Sequence, residues 1–122
     1  MEYFEKNRYD FSQLIEDIKK LEKLPEVIDY HEMDIQIYNC NHITKETLVD
    51  VLENFNILDN MHQDYCKEEC EKHSIPISYY QFAVNWIEFS DGNIVVGYFG
   101  ICCNTNFDVV FSKVNGMWSI MK

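Results

Sequence analysis

A chain of 122 residues that is 47% hydrophobic and 15% aromatic can bury one core without disulfides or metal, which argues against intrinsic disorder. Its 21 acidic and 10 basic residues give a net charge of −11, which repels phosphate backbones and disfavours nucleic acid as a partner. The start, Met1 to Arg8, has no apolar stretch of the secretory kind, and the longest apolar run, Ile94 to Cys103, is far short of the ~20 residues a membrane helix needs. The expectation is a cytoplasmic protein with no membrane contact.

Asp10-x-x-Gln13 resembles a capping box, after which Phe11, Leu14, Ile15, Ile18 and Leu21 recur at helical spacing until Pro25. The segment Glu26 to Asn39 is harder to assign; Ile35 and Ile37 suggest a short strand at a sheet edge. Glu26, Asp29, Glu32 and Asp34 crowd round Tyr30, either as a solvated loop or as a surface that meets Lys and Arg of a partner. Thr44 is a plausible N-cap. Leu48, Val51, Leu52, Phe55, Leu58, Met61, His62, Tyr65 and Cys66 then hold one apolar face toward His73, with a bend expected at Asn54-Phe55-Asn56 because asparagine is a poor helix former.

From Ser78 the period changes to two. Tyr80, Phe82, Val84 and Trp86 alternate with Gln81, Ala83 and Asn85, and strands are expected at about 79–89, 94–103, 107–114 and 117–121. Asp91-Gly92 and Asn115-Gly116 are type I′ turn candidates, since both central residues must take positive φ. Two-residue turns set Glu88 opposite Val95, Trp86 opposite Gly97, Val84 opposite Phe99 and Phe82 opposite Ile101. In the last hairpin they set Lys113 opposite Trp118 and Phe111 opposite Ile120. The opposite face also carries apolar residues (Ile87, Phe89, Ile94, Val96, Tyr98, Val110, Val114, Met117, Met121), more than a solvated sheet face needs. Either helices cover both faces, or one face meets a partner or closes round a pocket. The fold class expected is α+β, with N-terminal helices packed on a C-terminal four-stranded antiparallel meander. It forms a single domain over 1–122, helical over about 10–74 and sheet over about 78–122.

Little in the chain points to catalysis. Cys40, Cys66, Cys70, Cys102 and Cys103 are odd in number and lack a scaffold spacing, so they read as buried free thiols of a reducing compartment. His62, Cys66, Cys70 and His73 share one helical stripe, but positions 62 and 73 lie ~16 Å apart along a helix, so no single ion spans them. No metal or cofactor is therefore expected. No nucleophile elbow, P-loop, dinucleotide fingerprint or zincin motif occurs, and Glu88 and Asp108 read as rim carboxylates.

The plan of a small, acidic, motif-free chain with helices first, ending in W-I-E-F-S-D-G-N-I-V-V-G-Y-F-G (86–100) and F-D-V-V-F-S-K-V-N-G-M-W-S-I (107–120), resembles the immunity proteins of bacterial polymorphic toxin systems, particularly those of contact-dependent growth inhibition. That resemblance implies a cytoplasmic, non-enzymatic protein that binds a cognate toxin domain, often a nuclease, and blocks its active site or groove. Charge density nominates two contact patches for such a partner. One is Asp29, Tyr30, Glu32 and Asp34; the other is Asp64, Glu68, Glu69 and Glu71. The final Gly116-Met117-Trp118-Ser119-Ile120 is also similar to NTF2-like and cystatin-like folds, which implies an alternative: a small-molecule-binding or enzymatic domain with an apolar pocket under a curved sheet.

Overall fold

The fold is taken from a computed structural model whose described residues are 9–74, 82–100 and 105–121. The elements are α1 (Ser12–Lys20), β1 (Val27–Tyr30), β2 (Ile35–Tyr38), α2 (Lys45–Glu53), α3 (Phe55–Lys72), β3 (Phe82–Ser90), β4 (Asn93–Gly100), β5 (Thr105–Val114) and β6 (Met117–Met121). The class is α+β, but the sheet has six strands rather than four, in the order β1-β2-β3-β4-β5-β6, and is not purely antiparallel. β1 and β2 form a hairpin inside the stretch expected to be helical, and β2 runs parallel to β3. The strand suggested by Ile35 and Ile37 therefore lies inside the sheet, with β1 at the edge. Four-residue strands interrupted by acids show too little alternation to be read as a hairpin. The turn between them rests on Asp34 in the left-handed region (φ 53). The two helices between β2 and β3 supply the long return that parallel neighbours require.

Local signals explain the helices. Thr44 caps α2 by accepting the Thr47 N–H (3.1 Å). At the start of α1, Asp10 accepts from the Ser12 backbone and hydroxyl, while Gln13 reaches Asp17 instead of closing the capping box. The bend falls at Asn54, between α2 and α3, and both asparagines there have a task. Asn54 Nδ2 donates to the Asp50 carbonyl (2.8 Å). Asn56 clamps the Tyr9 backbone, accepting its N–H (3.1 Å) and donating to its carbonyl (2.7 Å). Tyr9, Phe11, Tyr30 and Phe55 then pack as an aromatic box, with Phe55 edge-on to both Tyr9 and Phe11.

Both two-residue turns form as expected, with Asp91, Gly92, Asn115 and Gly116 all at positive φ. The registers Glu88↔Val95, Trp86↔Gly97, Lys113↔Trp118 and Phe111↔Ile120 hold. Beyond Trp86 the expected register fails: Val84 pairs with Tyr98 rather than Phe99, and Phe82 with Gly100. A bulge at Asn85 inserts one residue and reverses the parity of the strand. Val84 consequently faces the helices, and its N–H donates to the Tyr9 hydroxyl (3.0 Å), whereas Trp86 faces away. The partners expected at residues 79–81 and at 101–103 lie outside the described residues.

The core lies on one side of the sheet. Ile35, Ile37, Val84, Ile87, Phe89, Ile94, Val96, Tyr98 and Phe111 join Leu14, Ile18, Leu48, Val51, Phe55 and Leu58 of the helices in one buried cluster. On the other side a Cβ at Gly97 would stand 2.1 Å from Trp86 Nε1, so the indole lies directly on the glycine backbone. Gly97→Ala should cost about 1–3 kcal/mol through overpacking and shift the Trp86 fluorescence. Urea unfolding should also show Trp86→Ala recovering part of that loss, because the two sites are in contact.

Candidate functional site

The side of the sheet turned away from the described helices is the most distinctive surface of the molecule. Strand pairing lays it out in rows. One row runs Asp29, Gln36, Trp86, Gly97, Asp108 from β1 to β5, and the next runs Val27, Tyr38, Glu88, Val95, Val110, Met121. Four strand spacings put Asp29 and Asp108 ~19 Å apart with the indole between them. Tyr38 stands edge-on to Trp86, with ring centroids 6.5 Å apart, and its hydroxyl bonds Gln36. The bulge turns Asn85 outward beside Trp86, where its Nδ2 donates to Asn106 Oδ1 (3.1 Å). Tyr38, Trp86, Val95, Phe99 and Val110 are half-buried, while Asp29 and Asp108 are exposed. The result is an aromatic plate with carboxylates at its rim, where Glu88 and Asp108 were expected.

The faces therefore divide differently from the sequence expectation. Ile87, Phe89, Ile94, Val96 and Tyr98 belong to the helix-covered core, whereas Val110, Val114, Met117 and Met121 lie on the open side with Trp86. The bulge takes Val84 off the Trp86 side, and the β4–β5 register, with Ile94 opposite Phe111 and Val95 opposite Val110, decides which residues of the last hairpin share the open face.

The charge-nominated patches separate. Asp29 lies on the open face, and Glu32 and Asp34 are exposed at the turn that follows β1. Tyr30 is a correction: its ring is buried against Phe11, and its hydroxyl lies 3.1 Å from Glu32 Oε2, so it serves the core and not a contact surface. Burial, and then the bond to Glu32, hold its phenol above the usual tyrosine range. Asp64, Glu68, Glu69 and Glu71 belong to α3, on the helical side of the sheet; Glu69 is half-buried and pairs with His73 (3.3 Å). A flat partner meets one patch or the other.

Between α3 and the sheet lies a buried polar group. Asp59 accepts from the Tyr98 hydroxyl (3.1 Å) and from Gln63 Nε2 (2.7 Å). The His62 ring is tilted over Tyr98, centroids 4.3 Å apart, and its Nε2 lies 3.4 Å from Cys66 Sγ. All five side chains are nearly inaccessible; the contacts of Asp59 and His62 with Tyr98 tie α3 to β4, while Cys66 meets His62 within the helix. Of the His/Cys stripe, Cys66 and Cys70 are buried with His62, while His73 points to solvent at the helix end. Among the described residues no three His, Cys, Asp or Glu side chains are grouped to hold a metal ion. Cys102 and Cys103 fall outside the described residues.

Family models, curated proteins and solved structures give no match to this chain. No helix among the described residues is long and apolar enough to cross a membrane.

Burial pushes the Cys40 thiol up to about 11. An unfolded thiol ionises near pH ~8.5, so the protonated native thiol contributes fully below that pH, and the contribution is lost as pH rises toward about 11. Urea midpoints should fall across that window by less in Cys40→Ala than in the parent. Native Cys40 should also resist thiol reagents at pH 8 until the protein unfolds.

Proposed function

We propose that this protein is a cytoplasmic inhibitor of the immunity type, which binds a basic toxin domain through the open sheet face and has no catalytic role. The observation that carries the reading is the row Asp29, Gln36, Trp86, Gly97, Asp108: a rigid aromatic side chain seated on backbone, between carboxylates, on a chain of net charge −11. Buried aromatic anchors carry most of the energy of protein contacts. Acidic rims speed encounter with a basic partner and reject acidic ones, adding less to affinity. A nuclease toxin suits this surface because the groove it offers to phosphate is itself positive.

The chemistry of inhibition is occlusion. A strand-built plate cannot follow a substrate into a groove, but it can cover one and set carboxylates where phosphates would lie. Asp29 lies on that face and Asp34 is exposed at the β1–β2 turn, so they are the nominated residues this reading retains, while the Glu32 carboxylate accepts from the core-facing Tyr30 hydroxyl. Asp64, Glu68, Glu69 and Glu71 are then solvated charges of α3.

Co-expression with a basic toxin domain that this protein captures should protect cells, and the pair should co-purify. Trp86→Ala should raise the dissociation rate at least ~tenfold, while Asp29→Lys with Asp108→Lys should slow association and flatten its salt dependence. Glu68→Lys with Glu71→Lys should leave both rates unchanged. Loss of binding in the α3 variant with full binding in Trp86→Ala would reject the sheet face.

A further inference from the structure

We infer that β6 is a self-pairing edge, and that two copies of this chain join their sheets across a two-fold axis through Ser119. The two edges of the sheet are finished in opposite ways. β1 is short, follows Pro25-Glu26, carries Asp29 and is trailed by Glu32 and Asp34, the charges and proline by which edges resist pairing. β6 carries neither proline nor charge: its sequence is Met-Trp-Ser-Ile-Met, and from Val109 to Met121 the sole charged residue is Lys113, the next being Lys122. That lysine lies on the helix side of the sheet, 3.4 Å from Asp50 and over the Trp118 ring. β6 pairs with β5 alone among the described residues.

The strand is also self-complementary. Val114 and Met117 close the type I′ hairpin as a hydrogen-bonded pair, so alternation aims the N–H and C=O of Trp118 and Ile120 at the free edge. Placing Ser119 on the axis sets Trp118 opposite Ile120 of the other copy, with both pairs exchanging backbone hydrogen bonds. The same register sets Met117 opposite Met121 of the other copy on the open face, where small Ser119 side chains meet. Val114, Met117 and Met121 are 60%, 73% and 51% exposed, three of the seven large apolar residues exposed among those described. An isologous contact of this kind closes on itself and leaves no second sticky edge, because β1 is blunted. Two acidic chains meet here with no carboxylate in the joint.

The test is sedimentation equilibrium on the purified full chain over a concentration series. The expected result is a dimer of twice the 14.6 kDa chain mass, tightened by added salt because the bulk charge of the two chains repels. Met117→Lys/Met121→Lys puts like charges opposite each other twice and should weaken the dimer at least ~tenfold. Met117→Lys/Met121→Glu puts opposite charges there and should restore it. Both positions are exposed, so circular dichroism should report the parent fold in each variant. A monomer at every concentration overturns the inference, even if the chain captures a foreign strand. So does a dimer indifferent to the double lysine variant, or one that both double variants disrupt alike. The inference stands apart from the inhibitor reading, since toxin binding by a strictly monomeric chain would overturn the dimer and leave the inhibitor intact.

Discussion

The extra residue at Asn85 is the constraint on which the rest of the structure depends. A strand has two faces and a period of two, so one inserted residue moves every side chain beyond it to the other side. Before the bulge, Val84 points at the helices; after it, Trp86 points away and Ile87 and Phe89 fill the core. Without the insertion, an indole or a row of core aliphatics would face the wrong way. The bulge is held from both sides: the Tyr9 hydroxyl takes the Val84 N–H, and Gly97, having no side chain, leaves its backbone open to the indole.

That choice of side divides the molecule chemically. One layer is a conventional core, closed by an aromatic box at the α1 end and by the Asp59–Tyr98–Gln63 hydrogen bonds at the other. A buried carboxylate is tolerable only when its oxygens are satisfied, and here two neighbours donate to it. Under the sheet, α3 side chains fill the space beside Tyr98, with His62 tilted over its ring and Phe107 next to them, and cavities of about 260 Å³ remain between α2 and the sheet at Phe89, Ile94 and Trp118 and between α3 and β5–β6. The other layer is absent among the described residues, and there an aromatic plate meets solvent inside an acidic rim. An inhibitor reading uses that plate, whereas a pocket reading leaves it without a role.

The two edges add a second asymmetry. Carboxylates gather at β1, whereas none occurs from Val109 to Met121, so one end of the sheet repels its own kind and the other does not. A surface for a basic partner and an edge for a second copy can thus sit on one small chain, centred on different groups. Trp86 and the rim carboxylates serve the first; the backbone of Trp118 and Ile120, with Met117 and Met121 at the far side of the same face, serves the second.

Much of this was legible in the chain. Asp91-Gly92 and Asn115-Gly116 dictate their turns because positive φ is cheap for those residues, and from the turns follow the registers of Trp86 with Gly97 and of Phe111 with Ile120. Thr44, the apolar stripe from Leu48 to Cys66 and the break at Asn54 determine two helices for equally local reasons. Only the tertiary structure decided the remainder. Asn85 carries no local mark of a bulge, which exists because Tyr9, 75 residues away, takes the backbone donor of Val84. β1 and β2 are too short to declare themselves, and become strands by pairing with each other and, through β2, with β3. Tyr30 sits amid acids yet is buried, because Phe11 packs on its ring. Which side of the sheet is open depends on contacts distant in sequence, and periodicity carries no record of those.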